Sequence, residues 1–146
     1  MSEYRANISW RRQTNDFAYN TYNRNHTISF AGGSEITASA APEFKGNASL
    51  VNPEELLVAA LSSCHMLTFL AIAARQRIIV DSYKDDAVGV MTKNAQGKHF
   101  ISQVVLHPKI AFANPPALEV VQHMHHQAHA ECFIANSVIT HVSIET

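Results

Sequence analysis

A chain of 146 residues that is 47% hydrophobic and 16% charged can bury one ordered core without disulfide or metal staples. A formal net charge of -1 at pH 7 provides no basic field for nucleic acid or anionic lipid, so neither is expected as a partner. The N-terminal run MSEYRANISWRRQ lacks an apolar signal-peptide core, and the longest apolar segment is broken by Ser62, Ser63, His65 and Thr68, so a soluble, cytoplasmic protein is expected.

The N-terminal region alternates in the manner of strands. YRANISW, FAYNTY, HTISF and EITASA, the last two flanking Gly32-Gly33, predict a four-stranded antiparallel meander with a Gly-Gly hairpin. PEFKGNASLV, residues 42–51, loses that period and reads as a loop able to close over a site. Asn52-Pro53-Glu54-Glu55 then starts a helix: Asn caps it, Pro suits the first turn, and the two carboxylates complement the positive end of the dipole.

That helix is predicted to run to about Arg75, and because Leu56 to Leu61 are apolar all round it is expected to be central and enclosed on most sides. Next, IIVDSYKDDAVGVMTK and HFISQVVLHPKIAF predict two β-rich runs joined by a hairpin at Asn94 to Lys98, with Pro108 marking an edge or a bulge. ALEVVQHMHHQAHAEC gives a second helix and SVITHVSIE a last strand. The order ββββ, α, ββ, α, β specifies an α+β fold in one domain, residues 1–146, with an antiparallel sheet packed on two helices. The low charge content points to part of the surface being covered by a partner subunit.

Only two residues offer nucleophilic chemistry of the redox kind. Cys64 lies well inside the first helix and Cys132 at the end of the second, and in a reducing compartment they are either inert core residues or a redox pair. The second reading needs one thiol held as thiolate by a nearby cation and another able to approach it. The cations available are Arg5, Arg11, Arg12, Arg24 and Lys45, with His26, His65 and the second helix's His123, His125, His126 and His129 as further options. His65 follows Cys64 directly, but neighbouring helical residues point about 100° apart, so it is expected to bond elsewhere.

Glu54 lies ten residues before Cys64, roughly 15 Å along a helix, which excludes direct contact within that helix. It can serve the thiol only through an arginine side chain or in a symmetry mate's site. His123, His125, His126 and His129 raise a metal reading, since His125, His129 and Cys132 share one helical face. The competing reading is a polar face with one or two buried, hydrogen-bonded histidines. Leu61, Met66, Leu67, Phe69 and Phe133 are expected to make the thiol's surroundings apolar.

NPEELLVAALSSCHMLTFL, the later AHAECFIANSV and the run EITASAAPEFKGNASLVNPEEL together resemble the OsmC/Ohr family, the osmotically induced and organic hydroperoxide resistance proteins. The resemblance covers essentially the whole chain and implies an intertwined homodimer with active sites at the subunit interface. It implies a thiol-dependent hydroperoxide reductase, with Cys64 as peroxidatic thiol, Cys132 as resolving thiol, and Glu54 with an arginine positioning Cys64. No metal or organic cofactor is implied, and the reductant is a dithiol such as a lipoylated protein.

The arginine departs from the family pattern: none occurs between Arg24 and Arg75, which makes Arg24 the first candidate and Arg11 or Arg12 the next. Cys64-His65 also replaces the Cys-Phe of better-known branches, which marks a separate OsmC-like branch. The rival from another class is a non-catalytic dimeric protein binding a small apolar ligand in the same interfacial pocket. Its signature would be cysteines too far apart to pair or no arginine near Cys64.

Overall fold

The computed structural model describes all 146 residues and divides into two compact units, Met1–Leu56 and Leu57–Thr146.

The first unit is a three-stranded antiparallel sheet of β1 (Ala6–Ser9), β2 (His26–Phe30) and β3 (Glu35–Ala38) in sequential order. The Gly-Gly hairpin forms as expected: Gly33 takes φ 94°, a left-handed value that favours glycine, and its N–H donates to the Phe30 carbonyl at 3.0 Å. The predicted strand FAYNTY is absent. Residues 17–22 turn instead, with the Thr21 and Tyr22 N–H groups both donating to the Ala18 carbonyl at 3.0 Å. Their alternation of aromatic and polar residues serves an aromatic cluster in which Phe17 lies 5.8 Å from Trp10 and 5.3 Å from Tyr22 between ring centroids.

Helix α1 (Pro53–Arg75) begins at the end of this unit with a reciprocal capping box. The Glu55 N–H donates to Asn52 Oδ1 at 2.9 Å, and the Asn52 N–H donates to Glu55 Oε1 at 3.3 Å. Its C-terminus closes with a paired motif: the Ile78 N–H reaches the Ala73 carbonyl at 2.9 Å and the Arg77 N–H the Ala74 carbonyl at 3.1 Å. Arg77 sits at φ 60° there, in a conformation usually given to glycine.

The second unit holds the rest of α1, four strands, α2 (Leu118–Glu131) and a final strand. Each predicted β-rich run is two strands. The first gives β4 (Val80–Asp85) and β5 (Val88–Lys93), the second β6 (His99–Leu106) and β7 (Pro108–Phe112). β4 pairs with β7, whose first residue Pro108 suits the edge it occupies, and β5 pairs with β6 through the expected hairpin at Asn94 to Lys98. The last strand, β8 (His141–Ile144), adds to β6 in parallel rather than antiparallel fashion, because the chain crosses over through α2 before rejoining the sheet.

α1 is a rod with one buried stripe, Leu61, His65, Phe69, Ile72 and Ala73, at a spacing of three or four residues. Phe69, Ile72 and Ala73 pack with Met124 and Ala128 of α2 above the β4/β7 sheet, while Leu61 packs with Val104, Leu106 and Val142 of β6 and β8. Full burial of Phe69 and Leu61 contributes about 2–3 kcal/mol each. Gly89 permits the close approach of β5 to α1, since a Cβ there would stand 2.5 Å from a methyl carbon of Val58.

Enclosure on most sides, the expectation for α1, does not hold within a single chain. Leu67 on the opposite face is 60% exposed, and Ala59, Ser63 and Ala74 are exposed with it. Hydropathy counted all round the helix could not distinguish a stripe buried by its own chain from a face left open. Length and composition alone would let α1 cross a membrane; in the fold its one buried stripe packs on α2 and on strands of this unit.

Candidate active site

Cys64 occupies the open side of α1. It lines a groove of about 820 Å³ together with Ala60, Ser63, Leu67, Thr68, Phe133 and others. The groove's second wall is the segment after α2, where Cys132 ends the helix and the chain enters a short 3₁₀ turn at Ala135–Ser137. That turn folds back by local bonds: the Asn136 N–H donates to the Cys132 carbonyl at 3.0 Å and the Ser137 hydroxyl to the Phe133 carbonyl at 2.7 Å. The result is a run of backbone N–H groups facing sulfur. Those of Phe133 and Ile134 hydrogen-bond Cys64, and that of Ala135 donates to Cys132 Sγ at 3.4 Å.

The two thiols hydrogen-bond one another and have opposite electrostatic settings. Partial burial pushes the Cys64 thiol up, but the Ile134 N–H, the Cys132 thiol, the Phe133 N–H and the Thr68 hydroxyl together hold it below the ordinary cysteine value. Cys132 is buried; that burial, together with the neighbouring Cys64, holds its thiol above the ordinary value despite the N–H groups of Ala135 and Ile134. Cys64 is therefore the better thiolate, and Cys132 keeps its proton and directs it at Cys64.

No cation contributes to the lowering of Cys64 in this unit; neutral donors do all of it. The sequence-based alternative of cation or inert core residue omitted this third case. Thr68 was also missed. Its hydroxyl lies 2.8 Å from the Cys64 carbonyl and also reaches the Cys64 thiol, so its single proton is shared between carbonyl and sulfur.

Of the apolar residues expected around the thiol, Leu67 and Phe133 line the groove. Leu61 and Phe69 do not: they lie on the buried stripe on the other side of α1, turned away by helical period.

Buried beneath Cys64 is a second polar cluster. His65, 1% exposed, and His125 of α2, 4% exposed, share a hydrogen bond of 3.0 Å from Nε2 to Nδ1, with their ring planes 7° apart. Phe69 covers His125 at 4.4 Å between centroids. Burial holds both imidazoles below the ordinary histidine value, His65 down to about 4, and for His65 the neighbouring His125 and His129 push the same way. His65 therefore bonds away from Cys64, as expected, and the histidine-rich face of α2 contains the expected buried, hydrogen-bonded residue. No group of three or more His, Cys, Asp or Glu side chains is arranged to hold a metal ion, because His125 is turned to His65 and Cys132 to Cys64.

The first unit contains the charged pair. Arg24 and Glu54 line one cavity of about 450 Å³, together with Trp10, Phe17, Tyr22, His26 and Phe44. The Arg24 guanidinium lies 3.6 Å from the centre of the Tyr22 ring and donates to the Tyr22 carbonyl at 2.5 Å and to the Tyr19 carbonyl. Arg12 is committed elsewhere, to the Thr14 carbonyl at 3.0 Å and the Asn15 carbonyl at 2.5 Å. Lys45 is exposed, 6.0 Å from the Tyr19 ring. Among the cationic candidates of this unit, Arg24 thus shares a cavity with Glu54. The two form no ion pair, and Glu54 Oε2 is buried without any hydrogen-bond partner, a costly state for a carboxylate oxygen.

The family model of OsmC-like proteins matches residues 46–146. A solved structure of an OsmC-like protein of unknown function from Vibrio cholerae is 49% identical, with a TM-score of 0.95 over 99% of both chains. An organic hydroperoxide resistance protein from Elizabethkingia anophelis shares the fold at 18% identity and a TM-score of 0.75, covering 100% of this chain and 97% of its own. One from Legionella pneumophila does so at 16% and 0.71, covering 100% and 98%. No curated protein matches the sequence. The thiols that meet between α1 and the end of α2, the capped helix that carries Cys64 and the match over residues 46–146 agree, and the chain belongs to the OsmC-like family.

Proposed function

We infer that the protein is a cysteine-based hydroperoxide reductase, an oxidoreductase with peroxide as acceptor. One observation carries the reading: two hydrogen-bonded thiols of opposite bias, the better thiolate lining an open groove and the poorer one buried behind it. The Cys64 thiolate attacks the distal oxygen of ROOH, the O–O bond breaks, ROH leaves, and Cys64 becomes a sulfenic acid. Cys132 then attacks that sulfur and water leaves, so both electrons come from the thiols and the product is the Cys64–Cys132 disulfide. A dithiol reductant, for which a lipoylated protein is the family-like choice, resets the pair. No organic cofactor enters this scheme.

Leu67 and Phe133 give the groove an apolar wall that suits organic hydroperoxides, with Arg75 and Glu131 also lining it. The reading includes a homodimer working in the cytoplasm, with the open face of α1 covered by the partner and the active site completed at that interface. Glu54 and Arg24 then act as the residues that position the bound peroxide and the thiolate, the unpartnered Glu54 oxygen taking up the guanidinium. The rival reading of a non-catalytic ligand-binding protein called for cysteines too far apart to pair or no arginine near Cys64; here the thiols are close enough to hydrogen-bond, which favours the reductase, while no arginine acts on Cys64 and Arg75 only lines its groove.

Stopped-flow mixing with cumene hydroperoxide, with free thiols counted, tests this directly. Two thiols per chain should disappear with one equivalent of peroxide. Survival of both under a large excess of native-state oxidant would overturn the assignment.

A further inference from the structure

The His65–His125 pair is not used by the chemistry above, yet it joins the same two helices as the thiols. On α1, His65 follows Cys64; on α2, His125 precedes Cys132 by two helical turns, which returns it to nearly the same face. The fold thus ties α1 to α2 twice, once through sulfur in the groove and once through imidazole in the core.

The second tie depends on protonation. Two neutral imidazoles share one proton along the 3.0 Å bond, and the outer nitrogens, His65 Nδ1 and His125 Nε2, are buried without partners. A proton added to either ring would place a donor against a donor, or leave a charged N–H buried and unsatisfied. The titratable groups acting on the pair come from two elements: His129 of α2, whose Nδ1 is also buried and unpartnered, and Asp85 of β4, while Tyr83 of β4 packs on the neighbouring Phe69. Asp85 is the one facing anion, and it is already engaged by the Ser62 hydroxyl and, at 2.6 Å, by the His107 N–H. Its charge favours protonation of the pair, but both of its oxygens are turned to these donors and burial outweighs it.

We propose that His65 and His125 are positioning residues for the thiol pair: while both are neutral they hold α1 against α2 so that Cys132 can reach Cys64, and taking up a proton breaks that hold and stops disulfide closure. The proposal rests on the thiol reading above for its biological meaning, but its mechanical content concerns only the closure step. It assigns the His that follows Cys64 a role that a Phe at that place could not fill, because only a ring nitrogen can make the bond to His125.

The test isolates closure from peroxide chemistry. One equivalent of 2,2′-dipyridyl disulfide, which reacts with thiols in acid as well as at neutral pH, converts Cys64 to a mixed disulfide and releases one 2-thiopyridone. Attack by Cys132 then forms the Cys64–Cys132 bond and releases the second, and this slower absorbance phase is the closure rate. His125→Asn places an amide where Nδ1 was and cannot take up a proton; His125→Leu removes the bond altogether.

At about pH 7 the Asn variant should close within roughly twofold of the native protein and the Leu variant at least about tenfold more slowly. The ratio of native to Asn rates, in which thiol titration cancels, should fall about twofold between about pH 7 and 4 and about tenfold by about pH 3. A ratio independent of pH, or a folded Leu variant closing as fast as the native protein, overturns the proposal; if the Leu variant does not fold, the ratio alone decides. Failure of cumene hydroperoxide to consume thiols would remove the peroxidase reading and leave this result standing.

Discussion

Cys64 and His65 are consecutive residues of one helix, yet one faces a groove and the other the core. Burial pushes each toward its uncharged form, raising the thiol and lowering the imidazole. The outcomes differ because of donors. On the groove side, two backbone N–H groups, a thiol and a hydroxyl converge on Cys64 and outweigh burial. On the core side, the outer nitrogens find nothing, so burial prevails and the pair stays neutral. Depth and donors act together here: the half-buried thiol meets enough hydrogen bonds to its charged form to outweigh burial, and the deeply buried imidazoles meet too few.

The groove side of this comparison breaks most completely if the sulfurs are exchanged. Cys64→Ser should abolish thiol loss to cumene hydroperoxide. Cys132→Ser should allow one turnover and then accumulate over-oxidised Cys64, as mass spectrometry of the Cys64 peptide will show.

The core side predicts a pH dependence of stability. The folded state keeps His65 and His125 neutral while the unfolded chain takes up protons there, so stability is full above about pH 6.5 and is lost as pH falls towards about 4. His65 alone accounts for about 3 kcal/mol of that loss. Urea denaturation across this window measures it, and a His65→Leu/His125→Leu double variant should flatten the curve.

Smaller effects refine the comparison. Arg24→Met or Glu54→Gln should slow peroxide reduction about tenfold while leaving the fluorescence-monitored unfolding midpoint nearly unchanged for Glu54→Gln. If neither slows it, the neutral donors around Cys64 suffice alone. Thr68→Val removes one hydrogen bond to sulfur, at about 1 kcal/mol, and should raise the pH midpoint of Cys64 alkylation with about a fivefold loss of rate at neutral pH. Arg77→Gly belongs to neither face and serves as a control: relieving the left-handed conformation at the end of α1 should stabilise the fold by about 1 kcal/mol in thermal unfolding, with no effect on either thiol.

What the sequence disclosed follows from which signals are local. The Asn52 cap, the Gly-Gly hairpin and the turn at Asn94 to Lys98 were legible because each is written in adjacent residues. FAYNTY imitated a strand because aromatic residues alternating with polar ones also build a surface cluster. The breaks between β4 and β5 and between β6 and β7 carried no glycine, only Asp86-Ala87 and His107, so each pair read as one run. Arg24 and Glu54 share one cavity of the first unit without an ion pair; at the site, the two cysteines were identifiable by residue type. The donors at residues 133–135 were not, because backbone N–H groups leave no mark in side-chain identity. The His65–His125 bond spans 60 positions, beyond the reach of any spacing rule.

The central claim is that Cys64 is the activated thiol and Cys132 the restrained one, by virtue of neutral donors. Alkylation of the reduced native protein with iodoacetamide, followed by mass spectrometry of each cysteine peptide across pH, measures it directly. The account predicts a Cys64 midpoint below the ordinary cysteine value and a Cys132 midpoint above it. Equal midpoints, or Cys132 reacting at the lower pH, would contradict it.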